Sequence, residues 1–374
     1  MSDILFVTWD GGGNVPPALG IARELQARGH TVRLLGHAAQ ADALAAAGVE
    51  VVRPRHARAF SSHAKNTAFS LMAAFGDRGM GRDLLEAVAA RPADLVVVDC
   101  LMFGALEAAH KAGLPYVVLE HFYDGYYERG CLRGPLGLSL ALRRLAPRRA
   151  LAEADGRIVT TLPELDPSSA TVAGLTYTGP VVDVAPVAAD RAADPLVLVS
   201  LSTFVFAGMA EALQRIVDST AGLDARVVVT TGGAVDPAKL RAPAGVEIEG
   251  YVPHAELMPQ ASLLVGHGGH GTTMQALAHD LPVVVMPMDG HTDQPLVGRS
   301  LEEAGAGRVV SKKSTPEQLA HVLAELLADG PHRAAAARLG GAIRAMPGVR
   351  LGADAVEARL RAGASARGPR TARR

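Results

Sequence analysis

The stretch LLVGHGGHGTTMQALAHDLPVVVMPMDGHTDQ, residues 263–294, decides the fold. Its apolar opening, 263–265, stops at Gly266, and a turn of glycine and histidine fills 266–271. From Thr272 to His279, Met274, Leu277 and Ala278 recur at helical spacing, and a second apolar run occupies 282–286. Strand, tight glycine loop, helix, strand is the unit of a parallel sheet. Gly268, Gly269 and Gly271 permit a sharp turn and let a ligand approach the backbone closely. Thr272 and Thr273 stand at the helix start, where amides lacking intrahelical acceptors and the helix dipole favour an anion. His267 stands just before that start, able to reach the same anion. A phosphate or diphosphate suits the place. Asp289, His291, Asp293 and Gln294 follow the next strand, at the same carboxyl edge, where open α/β sheets bind ligands. An acid and an amide beside a diphosphate suit the hydroxyls of a sugar.

His267, Gly269, Gly271, Thr272, Pro282, Pro287 and the closing Asp293-Gln294 resemble the donor-binding signature of the family 1 glycosyltransferases. The nearest likeness is to the bacterial branch that decorates natural products such as macrolides, enediynes and flavonoids. The resemblance implies the GT-B fold, an α/β architecture of two Rossmann-like doubly wound domains facing across a cleft. It implies that His267 and the amides after it hold a diphosphate, that Asp293 and Gln294 bind the sugar, and that no metal and no cofactor is needed. A UDP- or dTDP-sugar would be the co-substrate.

Working outward toward the C-terminus, a helix is expected up to Ala304, a strand at 307–310, and helices at 315–328, 331–345 and 354–361. The basic, small-residue tail 363–374 reads as disordered. Upstream, Ser200-Leu201-Ser202-Thr203 follows an apolar strand, 196–201, and precedes a helix expected at 205–220. It resembles the family's phosphate-contacting turn, which makes Thr203 a donor contact, with Ser202 where the family has glycine. Gly250-Tyr251-Val252-Pro253-His254 resembles the base-recognition turn, with Tyr251 beside the nucleobase and the Val252 backbone on its edge. Gln275 stands where many relatives carry a ribose-binding acid. Prolines and alanines dominate 163–195 and periodicity fades there. The expected organisation is an acceptor-binding domain at 1–180, a linker at 181–194 and a donor-binding domain at 195–362, whose last helix could pack back on the first domain.

The N-terminal half reads strand 4–8, loop, helix 18–28, strand 31–35. Its loop, Asp10 to Pro17, lacks the third glycine of a dinucleotide fingerprint, and no acid follows the second strand to hold a ribose, so a nicotinamide cofactor is discounted. Arg28-Gly29-His30 matches the family's opening. Asn14, however, stands where the family carries its catalytic histidine. A base must take the proton of the acceptor hydroxyl, and an amide cannot. Asp99, at the end of the apolar strand 93–98, matches the acid that orients the missing histidine. Three readings stay open: Asp99 accepts the proton directly or through water held by Asn14; Asp10, His56, His63 or His121 does so; or the acceptor needs little deprotonation. Residues 53–81 form a long loop with helical potential at 68–75, and Phe60 and Phe75 suit an acceptor wall. His121, Tyr123 and Tyr126, in the aromatic segment after the strand 115–119, suit the same purpose. A helix is expected at 135–153, and a last strand of this half at 156–160.

The chain has 374 residues and is 49% hydrophobic, enough for two cores. Its net charge of −1 gives no broad pull toward nucleic acid or membrane. Cys100 and Cys131 lack metal-ligand spacing, no apolar run reaches the ~18 residues of a membrane span, and the opening residues read as a strand rather than a leader, so a reducing cytoplasm is expected. A hydrophobic small molecule is the expected second partner; a homodimer is left open. The alternatives to a transferase are an inactive nucleotide-sugar-binding relative, an auxiliary partner, and a nucleotide-sugar epimerase on the same fold.

Overall fold

A computed structural model describes residues 1–62, 64, 67–184 and 194–367 of the chain. They form two compact units, Met1–Pro163 with Ser168–Val181 and Pro347–Arg374, and Glu164–Pro167 with Val182–Met346. His63, most of the linker and residues 368–374 lie outside the described residues.

The first unit is built on seven strands: β1 (Asp3–Val7), β2 (Thr31–Leu35), β3 (Glu50–Val52), β4 (Leu95–Asp99), β5 (Tyr116–Glu120), β6 (Gly156–Val159) and β7 (Leu175–Tyr177). They pair in the order β3-β2-β1-β4-β5-β6-β7, all parallel. The second unit repeats the plan with β8 (Leu196–Ser200), β9 (Arg226–Thr230), β10 (Val246–Glu249), β11 (Leu263–Gly266), β12 (Val283–Val285) and β13 (Gly307–Val309), in the order β10-β9-β8-β11-β12-β13. These are the two Rossmann-like domains expected. The central strands read as unbroken apolar runs because helices cover both faces of a parallel sheet: β4 and β8 are buried at every position. In each sheet the connections diverge beside the first strand, between β1 and β4 and between β8 and β11. There the loops part and leave a crevice at the carboxyl edge.

Local departures from the expectations have local causes. The helix expected at 135–153 is two, Pro135–Leu142 and Pro147–Ala152. Arg144 takes a left-handed φ of 56°, and Pro147 has no amide to continue the first helix. The helix expected at 205–220 begins only at Met209; the helical potential at 68–75 is a helix, Ala68–Phe75, and a second helix, Arg78–Ala90, takes up the rest of the expected loop and runs beyond it. The last helix runs Gly348–Arg367, so 363–367 are helical where disorder was expected. That helix lies in the first unit, against Val15–Ala27. Gly352 permits the approach, since a Cβ there would sit 2.5 Å from Ile21 Cδ1. Arg28 and His30 hold Glu357 at 3.3 and 3.1 Å. No helix of the described residues is long and apolar enough to cross a membrane.

Candidate functional site

The glycine turn after β11 is shaped by two close approaches. Gly268 has φ +86°, and a Cβ there would meet Val285 Cγ1 at 2.7 Å and the Gln294 carbonyl oxygen at 2.9 Å. Gly269 has ordinary backbone angles, yet a Cβ would lie 2.5 Å from His267 Nε2. The imidazole is therefore folded over the turn, in the space that only glycine leaves. The helix His270–Ala278 starts at once, with Gly269 as its N-cap and its first main-chain bond from Thr273 to Gly269. Gly271 and Thr272 lie in the first turn, where amides have no intrahelical acceptor. Nothing stands within 4 Å of the place a Gly271 side chain would occupy. A helix N-terminus with open space above it and an imidazole beside it suits a diphosphate.

Burial, with His254 nearby, pushes His267 down to about 4. Burial also lowers His254, whose Nε2 lies 3.0 Å from Ser200 Oγ at the end of β8. Both imidazoles are neutral near pH 7, so they would meet an anion as hydrogen-bonding groups and not as cations. His267 Nδ1 is buried without a partner, so its bonding capacity is unspent. No motif spacing pointed to Ser200 and His254 as a pair: 54 residues separate them.

The loop after β12 is held from below. Gln294 Oε1 accepts from the Met288 amide at 2.7 Å and the Asp289 amide at 3.1 Å, and Lys312 Nζ donates to the Met288 carbonyl at 3.0 Å. Gln294 is buried; Asp293, the N-cap of the helix Gln294–Glu303, is part-exposed. Thr203 is exposed on the loop after β8, and the left-handed Gly232 presses against it. Tyr251 is exposed, with Val252 part-buried beside it. Gln275 is engaged elsewhere: its Oε1 accepts from the Asp183 amide at 3.0 Å and its Nε2 donates to the Asp183 carbonyl. Its amide ties down the chain entering this unit.

At the carboxyl edge of the first sheet, Asn14 is buried and inward-facing. Its Nδ2 donates to Thr8 Oγ1 and to the Trp9 carbonyl, each at 2.9 Å, while Oδ1 is sealed and unpartnered. Asp10 accepts from the Ser62 amide and hydroxyl, each at 3.2 Å. Asp99 accepts the Leu101 amide on Oδ1 at 2.9 Å, and its Oδ2 lies 3.1 Å from His121 Nδ1. The ring is turned off the line of a straight hydrogen bond, so that oxygen touches the ring nitrogen without a well-aligned donor. Cys100 Sγ is 3.8 Å from the same nitrogen. Asp99, Cys100 and His121 thus offer ligand-type atoms within 4.8 Å of one another. Burial, with Asp99 nearby, raises the Cys100 thiol far above its ordinary value. The thiol stays protonated, a poor metal ligand. His56 pairs with Glu86 at the surface instead, at 2.7 Å.

His121 is carried by a braced segment. Arg157 of β6 bonds Glu120 Oε1 at 2.8 Å and also Asp124 Oδ1, and both carboxylates are fully buried. The braces stand one residue before and three residues after His121. Tyr123 is fully buried and belongs to the core, which takes it off an open acceptor wall. Tyr126 is part-exposed and packs edge-on against Phe122 at 5.6 Å. Phe60 and Phe75 both contact Trp9, with ring centres at 5.7 and 4.8 Å. Phe60 also lines a cavity of about 400 Å³ with Arg58, Ser61, Phe69 and Ala73; Phe75 is not part of that lining.

Each sheet falls largely within the reach of a known family. Residues 12–173 match the Glycosyl transferase 4-like domain, and residues 214–351 match the Erythromycin biosynthesis protein CIII-like, C-terminal domain. With the two doubly wound sheets, these define a glycosyltransferase of the GT-B fold, and this chain is one. It is 24% identical to the uncharacterized UDP-glucosyltransferase YojK of Bacillus subtilis (strain 168), over 95% of this chain and 97% of that one. It is similar to the solved glycotransferase of kitacinnamycin, with a TM-score of 0.79 and 25% identity over 96% of this chain and 99% of that one. The fold is also that of the glycosyltransferase VinC, solved in complex with dTDP, with a TM-score of 0.73 and 22% identity over 98% and 100% of the two chains.

Proposed function

We propose that the chain transfers a sugar from a UDP- or dTDP-linked donor to a hydrophobic natural-product acceptor, with inversion at the anomeric carbon. The observation that carries this reading is the His267 ring folded over Gly269 at the start of the helix His270–Ala278. In this reading the diphosphate sits above Gly271 and Thr272, bonded by their amides, by His267 and by the Thr203 hydroxyl. The nucleobase lies by Tyr251 and the Val252 backbone. Asp293 and Gln294 take the sugar, with Gln294 also fixing the loop through Met288 and Asp289. The helix terminus and neutral donors do the work a cation would otherwise do, stabilising charge on the departing diphosphate. Phe60, with the cavity it lines, and Tyr126 are the acceptor-side residues. Asp99 and its surroundings supply the base, and a cytoplasmic location goes with the nucleotide-sugar supply.

The names of the similar proteins support this choice of chemistry: UDP in one, dTDP in another, and a natural product in a third. Asn14 in place of the family's histidine favours one second reading, a relative that binds nucleotide sugar without transferring it. Incubating the purified protein with UDP- and dTDP-sugars and a panel of phenols and macrolide aglycones separates the readings. A glycoside product supports transfer; a new nucleotide sugar without acceptor means epimerisation; donor binding without turnover means an inert relative.

A further inference from the structure

The carboxyl edge of the first sheet holds several groups that could accept a proton, and their partners separate them. Asn14 spends its amide nitrogen on Thr8 and Trp9, its oxygen is sealed, and an amide takes up no further proton at neutral pH. Asp10 is committed to Ser62. His37 accepts the Asp10 amide on Nδ1 at 3.4 Å, and its Nε2 is buried without a partner, out of reach of any substrate. His56 is on Glu86. His121 differs. Its Nδ1 faces the buried Asp99 carboxylate at 3.1 Å, while its Nε2 has no partner and is not sealed from solvent.

We propose that His121, oriented by Asp99, takes the proton from the acceptor hydroxyl, replacing the imidazole that the chain lacks at Asn14. The inference rests on the transfer reaction proposed above. Asp99 keeps its orienting role and changes partner. β4 and β5 are neighbours, Asp99 pairs in register with Leu119, and the chain rises from there through Glu120 to His121. The imidazole thus reaches the acid from the next strand rather than from the loop after β1. A proton on Nδ1, toward the carboxylate, leaves the Nε2 lone pair outward, the arrangement by which a buried acid orients a histidine base. An off-line contact is ordinary for such pairs, which tighten when substrate binds. The buried pairs of Arg157 with Glu120 and Asp124 fix the backbone on both sides of the ring, so its position is built in before substrate arrives.

The step balances. As the acceptor oxygen forms its bond to the anomeric carbon, its proton passes to His121 Nε2. The bond from that carbon to the diphosphate oxygen breaks, and the electron pair leaves with the diphosphate. The imidazolium is stabilised by Asp99 and later returns its proton to solvent. The titratable groups facing His121 are Asp99 and Cys100 from the end of β4. Its own segment also carries Glu120 and Asp124, both paired to Arg157 of β6, and Tyr127, whose hydroxyl bonds the Cys100 carbonyl at 2.5 Å.

The test uses the full chain with His121→Ala, His121→Gln, Asp99→Asn and Asn14→Ala. Nitrogen-15 NMR of the wild type should find His121 protonated on Nδ1 and bare on Nε2, and Asp99→Asn should mix the tautomers. In transfer assays with phenols of graded acidity, both His121 variants should lose about a hundredfold in kcat, and the acidic limb of their pH–kcat/KM profile should vanish. The loss should shrink as the phenol becomes more acidic. Asn14→Ala should cost less than His121→Ala. A proton on Nε2, or a His121 variant within threefold of wild type with its acidic limb intact, would overturn the proposal. Titration of UDP and dTDP separates the two readings: affinity unchanged in the His121 variants keeps the donor site whatever happens to the base, whereas no affinity in the wild type removes the transfer reading itself.

Discussion

The His267 imidazole occupies the space that a side chain on Gly269 would need, with Nε2 2.5 Å from where the Cβ would be. Gly269 is therefore not a hinge, since its φ is −64°, but a seat for a ring. Its neighbour Gly268 is glycine for another reason, a φ of +86° beneath Val285 and the Gln294 carbonyl. One turn thus holds two glycines with separable roles.

That separation is measurable. Gly268→Ala meets backbone strain and a fixed carbonyl together, and should lower stability by about 2–4 kcal/mol. Gly271→Ala enters open space in a first helical turn and should leave stability within about 1 kcal/mol of wild type. Urea denaturation of the two variants checks the contrast; equal losses would mean the turn is drawn wrongly.

Buried charge braces the first unit. Arg157→Met would strand Glu120 and Asp124, each fully buried, without their cation. Removing one partner of a buried ion pair costs about 3–5 kcal/mol, and the denaturation midpoint should fall accordingly. A change under about 1 kcal/mol would show that water or the remaining neighbours already neutralise the acids.

His267 should leave a mark on stability against pH. It is held down to about 4, while an unfolded imidazole titrates near about 6.5. Between those values the unfolded chain binds more protons. The contribution is therefore full above the upper value and lost as pH falls toward the lower one. From about pH 7 to about pH 5 the wild type should lose about 1–2 kcal/mol more than His267→Ala does. Parallel curves for the two proteins would place His267 in a wetter, ordinary setting.

The architecture was legible because parallel strands buried on both faces must be apolar along their length, as β4 is up to Asp99, β8 is up to Ser200, and β11 and β12 are in full. The glycine turn was legible for a related reason: three glycines among six residues after a strand leave few other conformations. Pairings across the fold were not legible. Asp99 ends one strand and His121 directly follows its neighbour, and nothing in their spacing says that one ring meets that acid. Gln275 shows the converse: its place in the motif suggested a ribose, and its amide is spent on the Asp183 backbone. The split of the helix expected at 135–153 turned on Arg144 and Pro147, whose effect the surrounding helix formers hid.

Gln294 ties the start of its own helix to the loop after β12, bonding the Met288 and Asp289 amides, and the proposed sugar position lies with these residues. Gln294→Ala should free that loop and lower kcat/KM for donor by about ten- to a hundredfold, with smaller change in affinity for the bare nucleoside diphosphate. Steady-state kinetics beside calorimetry tests this; equal loss in both would mean that Gln294 shapes the whole site and not the sugar pocket alone.

The most direct measurement is calorimetric titration of UDP and dTDP into wild type and Gly269→Ala. Alanine at that position must push the His267 ring off the turn while leaving the backbone free to keep its course. The account expects the wild type to bind at least one of the two nucleotides and the variant to bind it at least tenfold more weakly, about 1.4 kcal/mol, with its thermal midpoint little changed. Equal affinity in the two proteins would contradict it and move the diphosphate away from the turn that begins at Gly266.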